Sequence, residues 1–266
     1  MTAPHYATAA YVAWLSGQLS DRDAAIARDL ARVRVLTGHQ LDRLHFMALA
    51  DLRRDTGRRR VMQRLVRLKV VTTLDRRIGG VRAGSAGFCY VLDVAGQRLV
   101  SLLDGHGVDA RRPWSVSEAF LAHSLAVSEH YVQLRELEHQ GVLELIDFRA
   151  EPASWQKTVS LGILKPDAYV LVARGDIEDA WWIEVDRGTE SPNTLRRKLR
   201  LYQLIAQSGG VGPHDILPRV LITVPSERRY AVIEEVIDGL ALGQSAFMRL
   251  CMTGRAAALI AHDLQE

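Results

Sequence analysis

Cysteine is scarce in this 266-residue chain, lysine is almost absent, and glutamate is missing from the first 117 residues. Each shortage excludes something. The two cysteines, Cys89 and Cys251, lie far apart and without metal-ligand spacing. They indicate neither a disulfide framework nor a zinc module, and they fit a reduced cytoplasmic setting. Lysine occurs only at Lys69, Lys157, Lys165 and Lys198, so basic charge is carried by arginine. No apolar run approaches the roughly 20 residues that span a bilayer, so no membrane partner is expected. The opening "MTAPHYATAAYVAWLSG" lacks the basic stretch of a signal peptide. Internal repeats and low-complexity tracts are absent as well.

What is present divides by charge. Residues 1–112 hold 19 Lys and Arg against 10 acids, and the remainder holds 15 against 21. A basic front joined to an acidic back suggests two domains, with polyanion contact assigned to the first. The 48% apolar content is enough for a core in each.

In the front half, Ser20 followed by Asp23 reads as a helix cap, opening a helix over about 21–34 with Ile26, Leu30 and Val33 on one face. "LTGHQLDRLHFM" repeats the device with Thr37 and Gln40, and Leu41, Leu44 and Ala48 supply its buried stripe. The third helix, in "DTGRRRVMQRLVRLKVV", places Val61, Met62, Leu65, Val66 and Leu68 on one side. Arg59, Arg60, Gln63, Arg64 and Arg67 fall on the other side. Like charges at this spacing repel, and a phosphate backbone would offset the repulsion. The plainer alternative is a solvated surface face.

"VVTTL" and "FCYVLDVAGQRLV" then read as two strands joined by a glycine-rich loop that carries Arg76, Arg77 and Arg82. Three helices and a basic-tipped hairpin describe a winged helix-turn-helix over 20–104. That fold places its third helix in the major groove of double-stranded DNA and its wing on neighbouring backbone. The same fold also serves protein contacts, which is the competing reading. "DGHGVDARRPWS", at 104–115, reads as a linker, where limited proteolysis is expected to cut first.

The back half, 114–266, opens with a helical pattern to about Gln140, in which His123 and His130 read as structural histidines. "VLELIDF", "LKPDAYVLV" and "WWIEVDRGTES" read as three strands, "SPNTLRRKLRLYQLIAQ" as a helix, and "RVLITVP" as a strand. "ERRYAVIEEVIDGLAL" is a further helix and "AFMRLCMT" a last strand. The order resembles the core of the PD-(D/E)XK nucleases, an α/β domain. There the Asp of a Pro-Asp pair and an acid on the next strand converge on Mg²⁺, or Mn²⁺ in its place. Pro166-Asp167 and Glu184-Val185-Asp186 have that order. Alternation puts Trp182, Glu184 and Asp186 on one face, so Asp167, Glu184 and Asp186 are the metal candidates, with Asp186 either a ligand or a solvent-facing neighbour. The lysine of the nuclease pattern would fall at 186, where this chain has Asp186. Lys198 on the following helix is the candidate replacement, with Lys165 and Arg187 behind it. The alternative for Lys198 is one more surface charge beside Arg196, Arg197 and Arg200.

Larger stretches also resemble one family. "LTGHQLDRLHF", the basic helix and "YVLDVAGQRLV", with "AHSLAVSEHYVQL", "LKPDAYVLV", "IEVDRGTES" and "LRRKLRLY", are similar to the actinobacterial replication-relaxation proteins from about 35 to 225. The resemblance implies a winged helix fused to a nuclease-like domain, associated with plasmids and mobile elements in replication and DNA relaxation. Two functions follow as expectations. One is a Mg²⁺-dependent endonuclease or nickase with Asp167, Glu184 and Lys198 as catalytic residues. The other is a non-catalytic DNA-binding regulatory factor whose nuclease-like domain serves homodimerisation or partner docking. An interaction adaptor without DNA leaves the arginine face unexplained.

Overall fold

The computed structural model describes residues 8–49, 51–77, 87–105, 117–158, 162–240 and 247–265. Its contacts divide the chain into two compact units, Met1–Val132 and Gln133–Glu266. The division falls inside a helix rather than at 104–115, and 106–116 lie outside the described residues.

The first unit runs α1 (Ala9–Ser16), α2 (Asp21–Val33), β1 (Leu36–Thr37), α3 (Gly38–His45), α4 (Asp51–Arg67), β2 (Val71–Arg77), β3 (Phe88–Leu92) and α5 (Val94–Asp104). Both expected caps form as reciprocal boxes, Ser20 with Asp23 and Thr37 with Gln40. Each box satisfies orphan N–H groups at a helix start, which is why α2 and α3 begin where they do. Ile26, Leu30, Val33, Leu41, Met62 and Leu65 form buried stripes on α2, α3 and α4. The strands pair antiparallel in the order β1-β3-β2.

One expected strand is shorter than its sequence pattern. "FCYVLDVAGQRLV" pairs only as far as Leu92, after which Asp93 accepts from Val94 N–H and starts α5. Gly96 permits this turn inward, because a Cβ there would lie 2.0 Å from the Val70 carbonyl oxygen. Apolar residues at a short run of positions suit a strand and a buried helix equally, and here the cap decided.

α6 (Glu118–His139) contributes its first part, through Val132, to the first unit. Ser128 donates to the Val35 carbonyl at 2.7 Å, Tyr131 donates to Asp29 at 2.6 Å, and Arg43 pairs with Glu129 at 2.5 Å. Gln40 serves twice, since its oxygen caps α3 and its amide donates to Leu125 and Glu129. His130 is buried and His123 half-buried, in keeping with structural roles.

The second unit holds β4 (Glu144–Ala150), β5 (Gln156–Thr158), β6 (Gly162–Leu164), β7 (Ala168–Arg174), β8 (Ile177–Val185), α7 (Pro192–Gln207), β9 (Arg219–Val224), α8 (Glu227–Asp238), β10 (Met248–Met252) and α9 (Ala256–Asp263). Five strands form a mixed sheet in the order β10-β9-β8-β7-β4. β7 pairs antiparallel with both of its neighbours, β4 and β8, whereas β8, β9 and β10 run parallel. Trp182, Leu199, Tyr202, Ile222 and Val236 belong to one buried cluster that joins the sheet to α7 and α8. The small β5–β6 hairpin was not anticipated from the sequence. The chain is thus mixed α/β in two units, which agrees with the expected class.

Candidate functional site

The hairpin register brings the two acids of the second unit together. Ala168 faces Ile183 across β7 and β8, so Asp167, one step earlier, stands opposite Glu184, one step later. Opposite residues of an antiparallel pair share a face. Asp167 Oδ2 accepts from Val185 N–H at 2.7 Å, which fixes its carboxylate at this end of the sheet. β8 is also the strand where pairing switches from antiparallel to parallel, and α7 and α8 begin beyond the ends of β8 and β9. Crevices at such switch points are where open α/β sheets bind ligands.

Glu184 is 3% exposed, and two residues from α7 close on it. Lys198 forms an ion pair with Oε2, and the Tyr202 hydroxyl donates to Oε1. Burial pushes the Glu184 carboxyl up to about 7, and Asp167 adds to that, while Lys198 and both hydrogen bonds pull the other way. Burial works against the charge on Lys198, but Glu184 and Asp167 outweigh it and hold its pKa above the ordinary lysine value. The Tyr202 hydroxyl is raised well above the usual range by burial and by Glu184. Lys198 is therefore held in its charged form, beside a carboxyl whose ionisation burial opposes.

Asp186 sits differently. Both of its oxygens accept from Arg229, at 2.5 and 2.9 Å, and Arg229 also donates to the Glu190 carbonyl at 2.8 Å. Its side chain is 3% exposed, so it is not solvent-facing. Asp186 anchors the loop between β8 and α7 to the start of α8. Among the described residues no group of three or more His, Cys, Asp or Glu could hold a metal ion. A cation here would have Asp167 and Glu184 as its protein ligands, with water or phosphate oxygens completing the shell, which is a common arrangement for Mg²⁺.

In the first unit the predicted arginine face separates into classes. Arg60, Gln63 and Arg67 are exposed and line a groove of about 540 Å³ between α4 and the β2–β3 pair, with Met62, Val66, Thr73, Phe88 and Tyr90. Arg59 is exposed but pairs with Asp55 at 2.9 Å. Arg64 turns inward to the fully buried Asp23 of the α2 cap. The side chains of Arg76, Arg77 and Arg82 lie outside the described residues. Arg58, which was not singled out from the sequence, is 1% exposed and pairs with Asp42 and Asp55.

Tyr202 and Arg229 were also missed. Tyr202 could have been found, since it lies four residues after Lys198 and hence on the same helical face. Arg229 could not, because its role depends on where α8 starts relative to the end of β8.

A family model for replication-relaxation proteins matches residues 28–220, well over half of the chain. The chain belongs to the replication-relaxation family. Its match covers both units, including α4, Asp167, Glu184 and Lys198. The chain matches no curated protein and no solved structure. Membership in this family points to a role in replication or relaxation, and so to involvement with DNA. No helix among the described residues is long and apolar enough to cross a membrane.

Proposed function

We propose that this family member binds duplex DNA through a winged helix in its first unit and cleaves a DNA phosphodiester in a PD-(D/E)XK nuclease-like second unit. The observation that carries the reading is Glu184, a buried carboxylate opposite Asp167 and paired with Lys198 at a switch point of the sheet. Besides Lys198, Glu184 has a second acid, Asp167, close enough to act on both partners of the pair, and such clusters of perturbed groups mark functional sites more often than chance.

Mg²⁺ or Mn²⁺ held by Asp167 and Glu184 would activate water and stabilise charge on the scissile phosphate. Lys198 supplies a fixed positive charge beside that phosphate, the part assigned to the lysine that Asp186 replaces. Tyr202 keeps the Glu184 carboxylate oriented, and Asp186 with Arg229 holds the adjoining loop in place.

For the first unit, the order α2-β1-α3-α4-β2-β3, with β1 paired to the outer side of β3, supports the winged-helix reading. α4 then enters the major groove with Arg60, Gln63 and Arg67, and Arg59 contacts the backbone at its cost of leaving Asp55. Arg64 drops out of the contact set, because Asp23 holds it. Arg76, Arg77 and Arg82 remain assigned to the wing.

A second reading is favoured by Asp186, whose charge is already neutralised by Arg229 where the nuclease pattern needs a lysine. In that reading the protein is a non-catalytic DNA-binding factor, and its second unit docks a partner or a second copy. Thermal melting with Mg²⁺ or Mn²⁺, followed by a plasmid-nicking assay, separates the two. The enzyme reading expects a metal-dependent rise in Tm that Asp167→Ala and Glu184→Ala both remove, together with nicked product. No rise and no nicking leaves the non-catalytic reading.

A further inference from the structure

The β5–β6 hairpin leads directly into Pro166 and Asp167, and its two faces are unlike. The pairing of Gln156 with Leu164 and of Lys157 with Ile163 puts Trp155 and Lys165 opposite one another at the next step. Side chains two apart on a strand share a face, so Trp155, Lys157, Ile163 and Lys165 form one surface. The other face is turned inward: Leu164 is in the core, and the Gln156 amide donates to the Val211 carbonyl.

All four residues of the outer surface are exposed, Trp155 at 41% and Ile163 at 48%. The Lys165 ammonium lies 4.5 Å from the centre of the Trp155 ring. The platform is tied to the candidate site, because Ser154, beside Trp155, is buried and donates to the Pro166 carbonyl at 2.6 Å. Three of the four lysines in the chain, Lys157, Lys165 and Lys198, stand on this hairpin or at Glu184.

We propose that the Trp155, Lys157, Ile163 and Lys165 face of this hairpin binds unpaired DNA, with a base taking the place of Lys165 over the Trp155 ring beside Ile163 and both lysines moving to flanking phosphates. An exposed indole beside two cations is the combination that sequence-independent single-strand binding uses, with stacking from the ring and screening-sensitive attraction from the charges. A duplex offers no open base face for such stacking. The choice of nucleic acid as the occupant rests on the proposed DNA-processing reading. The consequence for that reading is its substrate class, a strand already melted or single-stranded next to the phosphate at Asp167.

The test uses the full chain and a labelled oligothymidylate of about 15 nucleotides, within the range that such sites cover. Trp155→Ala should weaken binding about tenfold, whereas Trp155→Phe should keep most of it. Lys157→Ala with Lys165→Ala should weaken binding and reduce the slope of log affinity against log salt by about 1.4. Binding of a duplex of equal length should be unchanged by all three. Unchanged oligothymidylate affinity in both Ala variants overturns the proposal, as does an equal loss on duplex. Trp155-dependent binding to phosphatidylglycerol vesicles in place of oligothymidylate also overturns it, in favour of a lipid surface. Absent nicking with Trp155-dependent oligothymidylate binding overturns the cleavage reading alone and supports this one.

Discussion

Both units pair cations with buried acids, but the first also lines a groove on α4 with arginines that have no acid partner among the described residues. In the second unit, Arg229 is spent on Asp186, Arg219 on Asp179 and Asp263, Arg249 on Asp263, and Lys198 on Glu184. In the first, Arg58 and Arg64 are held by acids, yet Arg60 and Arg67 stand exposed along the α4 groove with no ion pair among the described residues. A surface that leaves arginines unpaired while its neighbours are paired is open to an external anion, which is the role proposed here for Arg60 and Arg67. Cations paired over buried acids, such as Lys198 on Glu184 and Arg229 on Asp186, fix those carboxylates in place.

The largest expected effect sharpens the second half of that contrast. If nicking is observed with Mg²⁺ or Mn²⁺, Glu184→Ala and Asp167→Ala should each lower its rate at least about 1,000-fold, and Lys198→Ala about 100-fold, the scale of removing a fixed charge from a reacting group. Lys198→Ala should leave the metal-dependent rise in Tm intact. Rates for Lys198→Ala equal to wild type would remove Lys198 from the catalytic set.

Next comes stability. Arg229→Ala strands the buried Asp186 and should cost about 3 kcal/mol in chemical denaturation, as breaking one side of a buried pair does. A loss under about 1 kcal/mol, the scale of a surface pair, would mean that the loop after β8 is not anchored there.

The third prediction concerns pH. Burial pushes the Glu184 carboxyl of the folded protein up to about 7, above the ordinary value of 4.5. Between these values the folded state holds a proton that the unfolded state has released, so stability should fall as pH rises from about 4.5 to 7 and level off above. The full shift corresponds to ~3 kcal/mol. Glu184→Gln should flatten that part of the stability–pH curve. An identical slope in wild type and Glu184→Gln would place the titration elsewhere.

The smallest effect tests the exposed arginines. Arg60→Ala with Arg67→Ala should weaken duplex binding about tenfold and reduce the salt slope by about 1.8, since each phosphate contact contributes roughly 0.9. Arg64→Ala should instead lower Tm with little change in that slope, because Arg64 is held by Asp23. A slope change for Arg64→Ala as large as for Arg60→Ala would erase the distinction drawn within α4.

Much of this was legible beforehand. The caps at Ser20 and Thr37, the apolar stripes of α2 to α4, the strands holding Val170 and Ile183, and the Asp167–Glu184 pairing all depend on spacing within one element or across one hairpin. Errors came where two local codes competed or where a partner was remote. Val94 to Val100 could extend a strand or open a helix, and the Asp93 cap chose the helix. Arg58, Arg64 and Arg67 look alike in sequence, but Asp42, Asp23 and nothing described, respectively, await them.

The sequence by itself determined most element types, the mixed α/β class, the charge division and the two acids of the candidate site, because periodicity, caps and hairpin register act over a few residues. Tertiary structure alone decided which charges are neutralised. It turned Asp186 from a candidate ligand into an anchor for Arg229, set Lys198 and Tyr202 on Glu184, and left Trp155 exposed beside Lys165. Ion pairing and desolvation depend on distances between groups tens of residues apart, and those distances exist only once the sheet and its helices have packed.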